Sequence, residues 1–379
     1  MPRPKKGKGN GKKVRVALRR NRNKPRRNKD WTDKAGNDES QDIVSGGHEN
    51  VRGKGEHSRH RTIIVRDELE TRAENLQNGT VVAMRGLFVE VDDGERIWNC
   101  TVRRILRTRL IEERHPVTIG DHVHFSLDES ADENEREGVI EAVQPRSGQL
   151  RRRAGKRIHV IAANVDQALI VSAAAEPAPK PNLIDRYIIS ALAGDMTPVI
   201  CINKVDLDDD GYAGELLDRY AALGYATLAT SAVTGMGKDE LIECCRAKAT
   251  VIAGQSGVGK SSLLNMIQPG LALRVGKVGH QNQKGRHTTT TAELIRLDVG
   301  GYVVDTPGIR SFDLTIVPRH QYEALFVEFI EHVAHCKYPD CTHIHEDDCA
   351  LMDAVDAGHV HPDRYRSYVQ IFEDPGVIQ

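Results

Sequence analysis

Residues 251–267 read VIAGQSGVGKSSLLNMI, which is an apolar strand, a glycine-rich loop and the start of a helix. Within it Gly254, Gly259, Lys260 and Ser261 fall at the G-x-x-x-x-G-K-S spacing of a phosphate-binding loop. Glycines let successive backbone N–H groups turn toward phosphates, and the positive end of the following helix adds attraction. The stretch therefore predicts an α/β fold that binds a nucleotide through this loop.

Two side chains of the phosphate loop have separate predicted roles. Lys260 reaches the β- and γ-phosphates, and Ser261 offers its hydroxyl to Mg²⁺, a cation that prefers oxygen ligands. The other loop residues surround the phosphates. The predicted phosphate-binding set is Gly254, Gln255, Ser256, Gly257, Val258, Gly259, Lys260, Ser261 and Ser262.

A second motif, NKVD at 203–206, follows the apolar strand TPVICI and predicts recognition of guanine. The Asp206 carboxylate accepts from both N1–H and the exocyclic amine of guanine, whereas adenine would leave this charge unpaired. Asn203 is expected to bond the base edge or to tie its loop to the phosphate loop, and Lys204 to lie over the ring. The segment ATSA at 229–232 is expected to offer a backbone N–H to the guanine carbonyl oxygen. The predicted base-contacting set is Asn203, Lys204, Asp206, Ser231 and Ala232.

A third motif, Asp-x-x-Gly, is weak by itself because Asp33, Asp208 and Asp298 also satisfy it. Its context selects Asp305, which ends the apolar strand of GYVVDTPG. This position suits a water-mediated contact to Mg²⁺, with the N–H of Gly308 facing the γ-phosphate.

The run GRHTTTT at 285–291 lies between these motifs and is the expected switch segment; its alternative is a plain polar loop. Thr289 is the threonine predicted to close on Mg²⁺. In many GTPases a glutamine after Asp-x-x-Gly orients the attacking water, but here that residue is Ile309. We therefore expect slow hydrolysis until a partner orders the switch, so that His287 or a backbone group positions water. The alternative for His287 is an exposed loop residue without a role.

The motif order is unusual, because base recognition precedes the phosphate loop, whereas ordinary GTPases run the other way. The domain is therefore predicted to be circularly permuted. With NKVD, GQSGVGKSS, GRHTTT and DTPG in this order, the sequence resembles the bacterial ribosome small-subunit-dependent GTPases from residue 79 to about 375. The resemblance implies an N-terminal OB barrel, a permuted GTPase domain and a C-terminal zinc domain. It also implies action on the maturing 30S subunit, with GTP hydrolysis stimulated by contact with rRNA.

The C-terminal part has a metal-binding pattern of its own, C-x4-C-x-H-x5-C. Thiolates and imidazole are preferred zinc ligands, and four of them predict a closed structural Zn²⁺ site. The predicted ligands are Cys336, Cys341, His343 and Cys349. Nearby His332, His335 and His345 leave the histidine open from spacing alone, and the resemblance indicates His343. Reduced cysteines without a metal are the alternative. The remaining cysteines, Cys100, Cys201, Cys244 and Cys245, are expected to be packing residues.

From about residue 79 short alternating strands and the turn Asp93-Gly94 predict a small OB-type barrel, a fold that often binds oligonucleotides. Trp98, Phe88 and Phe125 are candidates for stacking on bases, although apolar residues on alternating strands are more often core.

The charge is divided unevenly, since residues 1–30 contain fourteen Lys and Arg but one acidic residue. Such an arm is expected to contact the phosphates of RNA, or else to act as a solubilising tail. The run RRRAGKR at 151–157 is a second basic patch or a solvated linker. No apolar run is long enough to span a membrane and no secretory signal is visible, so a cytoplasmic protein is predicted.

The predicted organisation is a basic, disordered N-terminal arm over 1–65, an OB barrel over 75–150, the permuted GTPase domain over 155–315 and a zinc-binding helical domain over 316–379. The predicted function is a GTP hydrolase that binds the 30S subunit and its 16S rRNA, assists late 30S maturation, and acts as a monomer with Mg²⁺ and one Zn²⁺. The alternative is a nucleotide-gated RNA-binding protein in which hydrolysis is incidental. An ATP-dependent enzyme conflicts with Asp206.

Overall fold

The computed structural model describes residues 12–17, 60–65, 76–103, 106, 117–127, 137–154, 157–272, 292–305 and 314–374. By its internal contacts the chain divides into two compact units, Met1–Asn75 and Leu76–Gln379. The nucleotide motifs and the candidate metal ligands all belong to the second unit.

The first unit contains one antiparallel strand pair among its described residues, β1 (Lys12–Ala17) with β2 (His60–Val65). The sequence predicts a basic, disordered arm over residues 1–65, and the two strands lie within that range. The valines and isoleucines in them are β-branched residues, which favour extended backbone.

The second unit begins with a closed barrel, as the sequence predicted. Its strands are β3 (Gln77–Arg85), β4 (Phe88–Asp92), β5 (Ile97–Val102), β6 (His122–Leu127) and β7 (Glu137–Val143). They close in the order β3-β4-β5-β7-β6, with the β5–β7 pair parallel and the other pairs antiparallel. Val81, Val91 and Phe125 are fully buried in the barrel interior. Gly79 fits there because a Cβ would overlap the Val91 side chain.

The three candidate stacking aromatics of the barrel have different environments. Phe125 is 0 % exposed and belongs to the core. Trp98 is half-buried, lies 6.0 Å from Phe125 between ring centres, and donates its indole N–H to Asp93 Oδ2 at 2.6 Å. Phe88 is 43 % exposed at the start of β4. Phe88 is therefore the most exposed of the three.

A two-stranded ribbon follows the barrel and contains most of the RRRAGKR run. It pairs β8 (Gln149–Ala154) with β9 (Arg157–Ala163) in antiparallel register. Arg152 and Arg153 are exposed on β8. The described part of the run is thus paired in a basic ribbon, which favours the basic patch over the solvated linker that was the alternative.

A six-stranded sheet forms the centre of the second unit, in the order β12-β11-β10-β13-β15-β14. The strands are β10 (Gln167–Ala173), β11 (Thr197–Asn203), β12 (Ala226–Ala229), β13 (Lys248–Ala253), β14 (Glu293–Arg296) and β15 (Gly301–Asp305). All neighbours pair in parallel except β14 with β15. Parallel strands need crossover connections, and helices provide them here.

Helices cover both faces of this sheet, which explains why its strands are nearly continuous apolar runs. They are α1 (Pro181–Ala193), α2 (Tyr212–Ala222), α3 (Lys238–Cys245) and α4 (Lys260–Ile267). On β10, Ile170 faces a core formed with α1 and α2, whereas Leu169 and Val171 face the core with α3 and α4. The alternation follows from the two-residue period of a strand.

The C-terminal region consists of short helical turns around an aromatic core. The turns are Leu314–Ile316, Arg319–Gln321, Glu323–Leu325 and Val327–Phe329, followed by α5 (Ile330–Val333), α6 (Ala350–Asp356) and α7 (Pro362–Glu373). Phe326 stacks on Phe329 at 4.7 Å, and Tyr368 meets both rings edge-on. The three candidate cysteine ligands, Cys336, Cys341 and Cys349, belong to the same cluster as this aromatic core.

Candidate nucleotide site and metal centre

The phosphate loop connects β13 to α4, as its sequence predicts. Gly254 has φ +141° and Gly259 has φ +95°, both in the region that favours glycine. A Cβ at Gly254 would overlap the Val171 carbonyl oxygen, and one at Gly259 would overlap the Asn203 side chain. The two glycines are therefore required by backbone conformation and also by the close approach of neighbouring strands.

Lys260 begins α4 and lies against the loop that precedes it. Its ammonium donates to the carbonyl oxygens of Gly254 and Gln255, each at 2.7 Å. Burial lowers the pKa of Lys260 below its ordinary value. The half-buried ammonium is thus held at the loop, where it can reach a phosphate bound there. Ser261 and Ser262 are exposed in the first turn of α4, and Ser256 and Gly257 are exposed at the loop tip.

Asn203 joins the base-recognition loop to the phosphate loop. It ends β11, is 1 % exposed, and donates from Nδ2 to the Val258 carbonyl oxygen at 2.9 Å. Its Oδ1 accepts from the Thr230 hydroxyl at 3.3 Å. One amide side chain therefore connects three loops, and of the two roles expected for Asn203 this geometry matches the tie between loops.

The other base-contacting candidates surround this connection. Lys204 has φ +61° and donates from Nζ to the Glu176 carbonyl oxygen. Asp206 lies exposed in the short turn Val205–Leu207, where its carboxylate can be reached by a base. Ser231 is fully buried and Ala232 is half-buried. No motif or spacing in the sequence indicated that the Glu176 carbonyl oxygen would lie beside Lys204.

Asp305 ends β15, the neighbour of β13 in the sheet, and so reaches the edge that carries the phosphate loop. It is 6 % exposed, and its Oδ2 is buried without a hydrogen-bond partner among the described residues. Burial, and then the nearby Glu293, raise the pKa of Asp305 to about 7. An uncompensated carboxyl oxygen at this place fits the predicted contact to hydrated Mg²⁺.

The remaining nucleotide-site predictions fall outside the part of the chain that the structure describes. These are His287, Thr289 and Gly308, together with Ile309. Sequence reasoning missed Glu293, which is the cross-strand partner of Asp305 and also pairs with Arg85 of the barrel. Only the strand register brings these acidic residues together, and no spacing in the sequence indicates it.

The four predicted metal ligands of the C-terminal region lie together. The Sγ atoms of Cys336, Cys341 and Cys349 and a ring nitrogen of His343 are all within 4.8 Å of one another. Three thiols and one imidazole are a donor set suited to a tetrahedral structural zinc. The other nearby histidines have different contacts: His335 Nδ1 lies 2.9 Å from the Glu331 carbonyl oxygen, and His332 stacks on His359.

Three of the four cysteines outside this cluster are buried in the core, whereas Cys244 is only half-buried. Cys100, Cys201 and Cys245 are fully buried, and burial raises the pKa of Cys100 and of Cys201 to about 12. Cys244 is only half-buried, and a hydrogen bond with Cys245 lowers its pKa to about 7. Among the residues that the structure covers, no helix is both long and apolar enough to cross a bilayer.

Comparison with known proteins adds independent observations. The profile of the RsgA GTPase family matches residues 143–315. The small ribosomal subunit biogenesis GTPase RsgA of Chromohalobacter salexigens is 44% identical over 257 residues, which cover 67% of this chain and 74% of that protein. The protein of the same name from Thermotoga maritima is 39% identical over 302 residues, covering 78% and 96%.

Solved structures resemble the fold as well. The crystal structure of YjeQ from Thermotoga maritima aligns with a TM-score of 0.63 and 34% identity, over 79% of this chain and 98% of that one. The structure of YloQ, described as a circularly permuted GTPase, aligns with a TM-score of 0.60 and 28% identity, over 80% and 96%. The circular permutation predicted from the motif order is thus also stated for a solved structure of similar fold.

Proposed function

The chain belongs to the RsgA GTPase family, and on that premise we propose that it couples GTP hydrolysis to late maturation of the small ribosomal subunit. The proposal includes binding to the 30S subunit and its 16S rRNA, and stimulation of hydrolysis by that subunit. The observation that supports its nucleotide-binding part is the Asn203 side chain, which hydrogen-bonds both the Thr230 loop and the proposed phosphate loop.

The positions of the candidate residues suggest a role for each of them in binding GTP. Lys260 leaves the carbonyl oxygens that it now contacts and pairs with the β- and γ-phosphates, since charged oxygens are stronger acceptors than carbonyls. Asp206 accepts from guanine. Ser261 and Thr289 would hold the Mg²⁺ ion, Asp305 would hold water bound to that ion, and the N–H of Gly308 would face the γ-phosphate. The ion would neutralise charge on the transferring phosphate.

Hydrolysis is proposed to be slow in the isolated protein, because Ile309 cannot orient water. A partner that orders the switch would supply the missing group, either His287 or a backbone N–H. Such an element is worth about 10³- to 10⁵-fold in rate in GTPases. The basic arm, the Arg152–Arg153 ribbon and the exposed Phe88 support contact with RNA. A monomeric, cytoplasmic protein agrees with this role.

The domain boundaries given by the sequence, 1–65, 75–150, 155–315 and 316–379, stay part of the proposal. In the last of these, Cys336, Cys341, His343 and Cys349 would hold one zinc ion, which would tie together a region with few regular elements. The chain runs from Asp305 directly into this region. We therefore include in the proposal that γ-phosphate contact at Gly308 changes how the zinc region binds its RNA partner.

GTP turnover with and without purified 30S subunits tests the central claim. Large stimulation by 30S is expected, and Lys260→Ala should abolish it, whereas the exposed Lys238→Ala should behave as wild type. ATP should not compete. If turnover stays slow while 30S binding still depends on the nucleotide, the nucleotide-gated RNA-binding protein becomes the better account. Equal 30S affinity of the GTP-analogue and GDP forms would contradict the coupling to the zinc region.

Guanine recognition has its own test in Asp206→Asn. The amide can donate to a carbonyl at C2 of xanthine but cannot accept two hydrogen bonds from guanine. We expect GTP affinity to fall at least tenfold and xanthosine triphosphate to bind in its place, with Asp209→Asn, an exposed neighbour, as the control. Unchanged preference for GTP in the Asp206 variant would remove this residue from base recognition.

A further inference from the structure

The imidazole of His343 has two clearly different sides. Its Nδ1 lies 3.4 Å from the Sγ of Cys336 and 3.4 Å from the Sγ of Cys349, so it faces the thiol cluster. Its Nε2 lies 2.8 Å from Oε2 of Glu323, on the opposite side of the ring. The ring is 2 % exposed, and thus both nitrogens are committed to protein groups.

These contacts determine which nitrogen carries the proton. A carboxylate only accepts hydrogen bonds, so Nε2 must be the N–H that donates to Glu323. In a neutral imidazole the lone pair then belongs to Nδ1, the nitrogen that faces the three thiols. A metal ligand needs that lone pair, and the atom that receives it is chosen by the hydrogen bond on the other side of the ring.

The backbone of His343 is held by separate contacts. The residue has φ +59°, and its carbonyl oxygen accepts from the Tyr365 hydroxyl at 2.8 Å. The preceding residue is held in the same way, since the Tyr368 hydroxyl donates to the Thr342 carbonyl oxygen at 2.9 Å. Removing Glu323 would therefore leave the backbone in place and free only the ring.

We propose that Glu323 is a positioning residue of the metal centre, holding the His343 ring with Nδ1 toward the three cysteines. Glu323 lies in the turn Glu323–Leu325, ahead of all four ligands in the chain and outside their sequence motif. Outer carboxylates of this kind orient metal-binding histidines and raise their basicity. The inference rests on the proposed zinc site and adds to it a fifth residue.

The experiment measures zinc affinity of the full chain by competition with a chromophoric chelator, and the rate at which zinc passes to it. Glu323→Ala should weaken zinc binding 10- to 100-fold, the range typical of outer-shell changes. Glu323→Gln keeps an acceptor oxygen and should lose less. Glu331→Gln, an exposed acid in α5, is the matched control and should stay within about twofold of wild type.

A second readout separates positioning from a general effect on folding. Two-dimensional NMR with ¹⁵N-labelled histidine should show His343 protonated at Nε2 with zinc on Nδ1 in the wild type, and a changed pattern in Glu323→Ala. Unchanged zinc affinity in Glu323→Ala, or metal on Nε2 in the wild type, would overturn the inference. A wild-type protein that binds no zinc would overturn the zinc site itself, and the role of Glu323 with it.

Discussion

The barrel and the C-terminal region both contact the nucleotide-binding part of the second unit through ion pairs, but the two contacts differ in burial. At the C-terminal region, Arg364 is 1 % exposed and donates to Asp185 of α1 at 2.5 Å and to Glu328 at 2.6 and 3.1 Å. At the barrel, Arg85 pairs with Glu293, and its side chain is 50% exposed.

The difference matters because water reaches the arginine of the barrel contact but not the arginine of the C-terminal contact. A buried charge whose partner is removed stays in a low dielectric, which costs about 3 to 5 kcal/mol. An exposed pair contributes about 0 to 1 kcal/mol. The C-terminal contact is also braced by Tyr220, whose hydroxyl donates to Asp185 at 2.7 Å, and by the Phe326 ring 4.6 Å from the Arg364 guanidinium. We infer that the C-terminal region is fixed to α1 more firmly than the barrel is fixed to β14.

The largest effect is expected from Arg364→Met. The substitution keeps much of the side-chain volume but leaves Asp185 and Glu328 buried without their cation. The free energy of unfolding should fall by about 3 to 5 kcal/mol in urea titrations. A loss below about 1 kcal/mol would mean that the two contacts are equivalent and would break the comparison.

The next largest effect is expected from Asp305→Asn, and it should depend on pH. The pKa of Asp305, about 7 in the folded protein, is above the ordinary value of 3.8. The folded state therefore holds the proton over this interval, and stability falls as the pH rises from about 4 to 7. Relative to wild type, nucleotide-free Asp305→Asn should gain stability with rising pH, by at most about 4 kcal/mol above pH 7. A difference between the two proteins that does not change with pH would contradict the assignment.

The matched measurement is urea unfolding at several pH values in buffer without Mg²⁺. Glu293→Gln serves as a second variant, because Glu293 is the smaller of the two causes of the raised pKa of Asp305. It should reduce the pH dependence without removing it.

Tyr302→Phe tests the other polar contact of the barrel. The Tyr302 hydroxyl donates to Oδ2 of Asp92 at 3.0 Å, and Arg296 Nη1 lies 3.3 Å from Oδ1. Asp92 is 4 % exposed. Loss of one hydrogen bond to a buried charge should cost about 1.5 to 3 kcal/mol. Thermal unfolding measures it, with Tyr338→Phe, a half-exposed tyrosine, as a control that should change little.

Arg85→Met is expected to have the smallest effect, about 1 kcal/mol, since half of the Arg85 side chain is exposed to water, although its partner Glu293 is buried. It is the counterpart of Arg364→Met, with the same substitution at the other contact. Raising the salt concentration should reduce the effect of Arg85→Met further and leave that of Arg364→Met almost unchanged. Equal salt dependence at the two sites would remove the distinction between them.

The sequence by itself determined the GTPase family of this protein and predicted the residues of its chemistry. A phosphate loop needs Gly254, Gly259 and Lys260 in fixed order because backbone N–H groups must converge on phosphates, and such local geometry is visible as spacing. The same holds for NKVD, for the permuted order of motifs, and for the C-x4-C-x-H-x5-C pattern. The barrel was predictable from alternation and turn residues.

Only the tertiary structure decided which distant residues support that chemistry. Glu293 faces Asp305 through strand register, Glu323 reaches His343 from an earlier turn, and Arg364 meets Asp185 across 179 positions of the chain. Phe125 became core, whereas Phe88 stayed exposed, although both lie on alternating strands. Such contacts depend on how separate elements pack against one another. The spacing of residues in the sequence reflects local geometry, so it does not predict these contacts between distant elements.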